Sequence, residues 1–282
     1  MSLAGKTMFI SGASRGIGLA IAKRAAQDGA NVALLAKTAQ PHPKLPGTIY
    51  TAAQEIEDAG GHALPIVGDV RDTDGVFAAV AAAAEQFGGI DICVNNASAL
   101  GPGTIREVPM KRFDLMNGIQ VRGTYAVSQA CVPHMIGREN PHILTLSPPL
   151  DLTPEQLRST AYIMAKYAMT ICALGMAESL REEGIASNTL WPRTLVATAA
   201  VQNLLGGDEA IARSRKPEVY SDAAYIIFNK PSKEFTGQVL LCEDVLVDNG
   251  VTDLSVYSVV PGTNFEAGSS WLSPNPPGYT GP

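Results

Sequence analysis

Short apolar runs alternate along the chain with longer alanine-rich stretches in which apolar positions recur at helical spacing. Short apolar runs are typical of strands buried on both faces, and stretches of the second kind are typical of helices packed on a sheet. Regular alternation of the two predicts βαβ crossovers and a parallel sheet covered on both faces, which is a doubly wound α/β fold. The predicted strands are residues 7–11, 32–36, 63–67, 91–95, 142–147, 187–191 and 238–242. The predicted helices are residues 16–28, 48–59, 73–87, 111–135, 162–183 and 221–229.

Two segments interrupt this alternation. Residues 40–47, QPHPKLPG, contain three prolines and are predicted to form an ordered or extended loop. The stretch from Gly262 onward is rich in Pro, Gly and Ser and is predicted to be coil. No repeat or linker divides the chain, so residues 1–282 are interpreted as one domain.

Composition narrows the class of protein. With 46% hydrophobic and 17% charged residues the chain is expected to be globular, and its net charge of −6 favours neither nucleic acid nor an anionic membrane as a partner. The four cysteines form no CxxC pair and the four histidines have no ligand spacing, so neither disulfides nor a metal site is expected. The glycine-interrupted N-terminus, MSLAGKTMFISG, is too short for a signal peptide, and we expect a cytoplasmic protein.

A glycine-rich turn, SGASRGIG at residues 11–18, joins the first predicted strand to the first predicted helix. In this context Gly12 permits the tight turn, Gly16 lets the backbone approach a pyrophosphate, and Gly18 lets the helix pack on the sheet. The phosphates would lie at the helix N-terminus, where free N–H groups favour anions. The turn therefore predicts a dinucleotide site in a Rossmann-type fold.

The end of the second strand bears on which dinucleotide binds. A site for NAD normally has an acidic residue there, and this chain has Ala36, Lys37 and Thr38 instead. Lys37 and Arg15 are expected to neutralise a 2′-phosphate, so NADP is predicted in preference to NAD.

Tyr162 and Lys166 lie one helical turn apart after the fifth strand and therefore share a helix face. A phenol is a poor base at neutral pH, and an ammonium nearby lowers its pKa by favouring the phenolate. The pair is predicted to exchange a proton with a carbonyl or alcohol oxygen while a nicotinamide exchanges hydride with the carbon.

These motifs together resemble the short-chain dehydrogenase/reductase family. The residues that carry the resemblance are SGASRGIG (11–18), GDV (68–70), NNAS (95–98), YIMAK (162–166) and WPRT (191–194), and it covers about residues 5–245. Within the family, residues 37–57, 147–150 and 175–178 are similar to the hydroxysteroid dehydrogenase-like protein 2 branch. Members of that branch can carry a sterol-carrier-like domain, and none is expected in these 282 residues.

The resemblance implies a role for each matching position. The glycine-rich turn would bind pyrophosphate through Gly12, Ala13, Ser14, Arg15, Gly16, Ile17 and Gly18. The rest of the cofactor would contact Lys37, Asp69, Val70, Asn95, Asn96, Ala97, Pro192 and Thr194. Tyr162 would be the acid/base, and Lys166 would hold the ribose hydroxyls and tune the tyrosine.

The chain departs from the family pattern at three places. The substrate-orienting serine is usually the second of two serines after the fifth strand; Pro148 stands there, so Ser147, Ser159 or Thr160 is the candidate hydroxyl. Gln120 replaces the asparagine that supports a proton-relay water, and Arg193 replaces a glycine. The nucleotide half is thus intact while the chemical half is altered.

The sequence supports an NADP-dependent carbonyl reductase or alcohol dehydrogenase acting on a small molecule larger than a simple sugar, with residues 195–216 as a lid. The alternative is a cofactor-binding sensor or scaffold with little turnover. Residues 161–177 are apolar nearly all round, with only Lys166 and Thr170 clearly polar. A membrane span would bury Lys166 at high cost, so a homodimer or homotetramer contact with residues 111–135 is predicted instead.

Overall fold

The computed structural model describes residues 2–43 and 45–263, so the predicted coil from Gly262 lies almost wholly outside the described residues. Seven strands form one sheet in the order β3-β2-β1-β4-β5-β6-β7, and every pairing is parallel. This confirms the predicted doubly wound fold. The strands are β1 (Thr7–Ser11), β2 (Asn31–Ala36), β3 (His62–Val67), β4 (Ile92–Asn95), β5 (His142–Thr145), β6 (Ala186–Trp191) and β7 (Val239–Leu241).

Helices cover both faces of the sheet. In the described residues they are α1 (Gly16–Ala26), α2 (Ile49–Asp58), α3 (Thr73–Phe87), α4 (Met110–Met116), α5 (Gly123–Met135), α6 (Pro154–Leu157), α7 (Thr160–Ser179), α8 (Ala199–Leu204), α9 (Gly207–Ala212), α10 (Glu218–Phe228) and α11 (Cys242–Asp248). A 3₁₀ turn, Leu254–Tyr257, follows α11.

Two apolar cores follow from the alternation of side chains along the strands. In β1, Met8 and Ile10 join the core under α1, α2, α10 and α11, whereas Phe9 joins the core under α3 and α5. This arrangement explains why the strands read as continuous apolar runs rather than as alternating ones.

Two predicted elements need correction. The strand predicted over residues 142–147 ends at Thr145, because the backbone N–H of Ser147 turns back to the carbonyl of Thr145 at 3.0 Å. The ladder is therefore lost before the prolines are reached. The helix predicted over residues 111–135 is divided by a π-helical segment, Asn117–Arg122, which widens the helix between α4 and α5.

The strand order reverses between β1 and β4. Their carboxyl ends carry the glycine-rich turn on one side and Asn96 on the other, and ligands of open α/β sheets bind in the crevice at such a point. The short helices α8 and α9, which periodicity did not predict, lie beyond the end of β6 and line this crevice.

Candidate active site

A cleft with a volume of about 1380 Å³ opens along the carboxyl ends of the strands. It brings together most of the predicted site residues: Gly12, Ser14, Arg15, Gly16, Ile17, Lys37, Asp69, Val70, Asn96, Ala97, Tyr162, Lys166, Pro192 and Thr194 line it. Four others, Ala13, Gly18, Asn95 and Ser147, lie behind this lining.

The turn after β1 needs glycine for conformation and for space. Gly12 has a φ of +74°, and a Cβ there would lie 2.9 Å from the Cα of Ala97. The turn is therefore pressed against the end of β4. It leads directly into α1, whose first residue, Gly16, faces the cleft, so the unpaired N–H groups of that helix point to where an anion can bind.

Asn96 fixes the turn from the other side. Its Nδ2 donates to the backbone oxygens of Ser11 at 2.8 Å and Gly12 at 3.0 Å. A Cβ at Gly18 would lie only 2.5 Å from the same nitrogen, so glycine is needed there for helix packing rather than for ligand contact. Asn96 is thus both a cleft residue and a support for the turn.

At the adenosine end of the cleft, Lys37 follows β2 and extends into solvent, with its Nζ 3.4 Å from Oδ2 of Asp69. Asp69 is also bound by Arg71, whose Nη2 lies 2.6 Å away. Hydrogen bonds from Arg71 and the charge of Lys37 hold the pKa of Asp69 at about 2, against the effect of burial. Lys37 therefore sits beside a permanent carboxylate and remains open to a ligand.

The sequence predicted that Arg15 neutralises a 2′-phosphate, and the structure places its guanidinium against the backbone of the proline-rich loop. Its guanidinium donates to the backbone oxygens of Pro46 at 2.9 Å and Gly47 at 3.0 Å, and it lies 3.4 Å from the hydroxyl of Thr38. Arg15 thereby ties the proline-rich loop to the glycine-rich turn. His42, Leu45 and Pro46 of that loop line the cleft, a contribution that proline content alone did not reveal.

Tyr162 and Lys166 project from α7 into the same cleft, with 7% and 3% of their surfaces exposed. The Nζ of Lys166 donates to the carbonyl of Leu146 at 2.8 Å and lies 5.2 Å from the centre of the Trp191 ring. Burial lowers the pKa of Lys166 to about 7 and raises the pKa of Tyr162, so the lowered tyrosine pKa that the sequence predicted is not found in the cofactor-free protein. In the cofactor-free protein the tyrosine is thus a protonated acid.

Ser147 is fully buried, and its hydroxyl lies 2.9 Å from that of Thr170 on α7. The structure does not bring it to the cleft. Ser159 and Thr160 do not line the cleft either, and the hydroxyl of Thr160 donates to the carbonyl of Leu157 at 3.0 Å. None of the three proposed replacements for the serine at Pro148 therefore lines the cleft.

Asn95 and Gln120 are buried supports of the site. Nδ2 of Asn95 donates to Ser128 at 2.8 Å, so this residue links β4 to α5 rather than lining the cleft. Gln120 lies in the π-helical segment and accepts from the backbone N–H of Ala99 at 3.1 Å, while its Nε2 has no partner among the described residues. A widened helical turn at this position is common near functional sites.

Several lining residues were missed by sequence reasoning. Trp191 closes the cleft behind Lys166, and Tyr220 lines it from α10 with 1% of its surface exposed. The lid contributes mainly apolar side chains to the cleft, namely Leu195, Val196, Ala197, Ala199, Ala200, Val201, Leu204, Leu205 and Ile211. The apolar run LVATAAVQNLL, residues 195–205, was the available signal for an apolar lid.

Among the described residues, no group of histidine, cysteine or acidic side chains has an arrangement that could hold a metal ion. Helix α7 is long and apolar enough to cross a membrane by length and composition, with a mean hydropathy of 1.2. Because 56% of that stretch is buried within the protein, it has the character of a core helix.

Comparison with known proteins gives a consistent result. Residues 6–207 match the family model described as short chain dehydrogenase. The chain is 58% identical over 261 residues to hydroxysteroid dehydrogenase-like protein 2 of Danio rerio, covering 92% of this chain and 62% of that protein. It therefore spans less than two thirds of the length of this relative.

Solved structures resemble the whole of the fold. A crystal structure of a short chain dehydrogenase homologue from Mycobacterium thermoresistibile is 76% identical, with a TM-score of 0.91 and full coverage of both chains. Carveol dehydrogenase from Mycobacterium avium in complex with NAD is 25% identical, with a TM-score of 0.74 over 84% of this chain and 96% of that one.

Proposed function

The chain belongs to the short-chain dehydrogenase/reductase family, and on that basis we propose that it is an NADP(H)-preferring oxidoreductase that interconverts a carbonyl and an alcohol. The observation that carries the proposal is the presence of Tyr162 and Lys166 in one cleft with the glycine-rich turn. A protein that only binds a nucleotide has no need of a buried phenol and ammonium at the far end of the site.

The cleft fits a nicotinamide dinucleotide along its whole length. The start of α1, where Gly16 faces the cleft, offers unpaired N–H groups to a pyrophosphate, and the packing of Gly12 on Ala97 holds the turn that leads into it. Asp69 and Val70 lie at the adenosine end, and Pro192 and Thr194 lie at the end that contains Tyr162. These positions support the assignment of the two ends.

Preference for NADP(H) rests on charge. No acidic residue follows β2, and Lys37 extends into the open end of the cleft where a 2′-phosphate would lie. Asp69 is held by Arg71 more closely than by Lys37, at 2.6 Å against 3.4 Å. Lys37 can therefore turn toward a phosphate without leaving Asp69 unpaired.

In the proposed reaction the cofactor supplies or accepts a hydride at the substrate carbon. Tyr162 donates its phenolic proton to the carbonyl oxygen in reduction and takes it back in oxidation. Lys166 shares the helix face of Tyr162, and when it is protonated its ammonium favours the phenolate formed.

The apolar lid and Trp191 favour a substrate with an apolar body. The names of two similar proteins refer to a hydroxysteroid and to carveol, both alcohols on apolar ring systems. Cyclic apolar ketones and alcohols are accordingly the first class to test.

A sensor or scaffold with little turnover is the second candidate. The observation in its favour is that Ser147 is engaged with Thr170 while Pro148 occupies the usual serine position. A site without a second hydroxyl would position a carbonyl oxygen poorly.

The deciding experiment follows NADPH consumption with a panel of aldehydes, steroid ketones and monoterpene ketones. Turnover that is lost in Tyr162→Phe supports the oxidoreductase. Tight NADPH binding without turnover on any carbonyl in the panel would favour the sensor instead.

A further inference from the structure

Glu243 is a buried carboxylate that lies beside the cleft rather than in it. It lies in the first turn of α11, and only 4% of its surface is exposed. Its Oε2 accepts from the backbone N–H of Arg193 at 2.9 Å, and its Oε1 accepts from Nε of Arg215 at 3.1 Å. The Glu243 carboxylate thus binds both the backbone of Arg193, which lies between Pro192 and Thr194, and the buried guanidinium of Arg215.

Arg215 lies at the base of the lid, where its two ends meet. Its backbone N–H donates to Leu195 at 2.9 Å, and its carbonyl accepts from Ala197 at 2.8 Å, so the two ends of the lid are paired like short parallel strands. Its Nη1 donates to the carbonyl of Leu254 at 2.7 Å. These backbone hydrogen bonds hold the two ends of the lid together at its base, and residues 198–214 form the loop between them.

A carboxylate is required for this arrangement. Both of its oxygens accept, and a glutamine would present an NH₂ group to one of two donors. The pair is almost fully buried, with 8% and 5% of the two side chains exposed, so removing either charge breaks an ion pair in a poorly solvated part of the protein. Neither Pro192 nor Thr194 touches Glu243 through these bonds; the effect on them passes through the backbone of Arg193.

We propose that Glu243 and Arg215 are positioning residues that preset the 192–197 segment, and with it Pro192 and Thr194, for the nicotinamide end of the cofactor. This rests on the proposed function, since it assumes that those two residues contact the nicotinamide. The base of the lid stays fixed before the cofactor arrives, and movement of the lid is confined to residues 198–214.

The test compares Glu243→Gln with the wild-type protein, using NADPH and adenosine 2′,5′-bisphosphate as probes in calorimetric titrations. The bisphosphate occupies only the adenosine end, which Glu243 does not support. We expect NADPH affinity to fall roughly tenfold or more, as for loss of a charged hydrogen bond, and bisphosphate affinity to stay within about twofold.

Asp244→Asn is the matched control. Asp244 is the next residue, and its carboxylate forms a partly exposed pair with the guanidinium of Arg193 at 2.7 Å. The pair has a second contact, from Nε of Arg193 to Oδ1 at 3.0 Å, but it is partly exposed and holds the side chain of Arg193 rather than its backbone, so substitution of Asp244 should change neither affinity by more than about twofold. A general loss of structure would lower both affinities together, so equal losses in Glu243→Gln would overturn the proposal, as would unchanged NADPH binding.

Failure of the proposed function is recognised separately, because wild-type protein that binds neither probe would overturn both conclusions. Where Glu243→Gln does not fold, amide hydrogen exchange of the wild-type, cofactor-free protein supplies the test. The amides of Arg193 and Ala197 should exchange at least roughly tenfold more slowly than exposed amides of residues 199–210. Equal exchange would show that the segment is not preset.

Discussion

The hydroxyl oxygens of Ser147 and Thr170 lie 2.9 Å apart in the protein interior, and Thr170 also donates to the carbonyl of Pro148 at 2.7 Å. These bonds join the end of β5 to the middle of α7. They fix the backbone that carries Leu146, whose carbonyl accepts from Lys166. Ser147 is therefore expected to act on stability more than on the chemical step.

Ser147→Ala should lower the free energy of unfolding by about 1 kcal/mol, because it removes one buried hydrogen bond. Turnover should fall less than it does in Tyr162→Phe. Urea unfolding and NADPH oxidation, measured on the same preparation, check both statements. A loss of turnover equal to that of Tyr162→Phe, with stability unchanged, would instead indicate that Ser147 acts on the substrate.

Tyr162→Phe should abolish turnover while NADPH affinity stays within about twofold, since the change removes a transferable proton and leaves the ring. NADPH titration and steady-state rates on the best carbonyl of the panel provide the measurement. An active Tyr162→Phe protein would exclude the assigned acid/base.

Lys37→Ala should weaken NADPH binding by about 1.5–3 kcal/mol, the contribution of one charge-assisted contact to phosphate. NADH lacks the 2′-phosphate, so its affinity is the internal control and should hardly change. Lys233→Ala, an exposed lysine away from the cleft, controls for the loss of one positive charge. Equal losses for both cofactors would contradict a specific role for Lys37.

The stability of the cofactor-free protein should rise with pH between about 7 and 8.5. Burial lowers the pKa of Lys166 from 10.5 to about 7, so in this window the unfolded chain binds more protons than the folded one. Stability increases with pH under that condition. Urea unfolding at both pH values should show the increase in the wild type and a smaller one in Lys166→Met.

The upper limit of that window is set by other groups. Burial raises the pKa of the Cys131 and Cys242 thiols, which favours unfolding once thiols of the unfolded chain ionise near pH 9. The difference between wild type and Lys166→Met isolates the lysine. If the two proteins show the same pH dependence, Lys166 carries no depressed pKa.

The sequence predicted those features that depend on local pattern. The strand of residues 7–11 and the helix of residues 73–87 have the predicted bounds, because buried runs and Asp72 as N-cap define them locally. The orientation of Ser147 depends on Thr170, which lies 23 residues away, and no periodicity contains that information. The same holds for Glu243, whose partners Arg193 and Arg215 lie 50 and 28 residues away.

The outer face of α7 remains apolar, with Met164 and Ile171 53% and 60% exposed, and on the neighbouring α5 Tyr125 is 60% exposed. Exposed apolar side chains on two neighbouring helices favour burial against a second copy over exposure to water. We therefore expect a homodimer or homotetramer by light scattering at micromolar concentration, and Ile171→Glu should dissociate it because a buried carboxylate would have no partner. Tyr50→Glu, at a similarly exposed position on α2, should leave the assembly intact. A wild-type monomer would show that no such contact forms. Dissociation by Tyr50→Glu but not by Ile171→Glu would place the contact elsewhere.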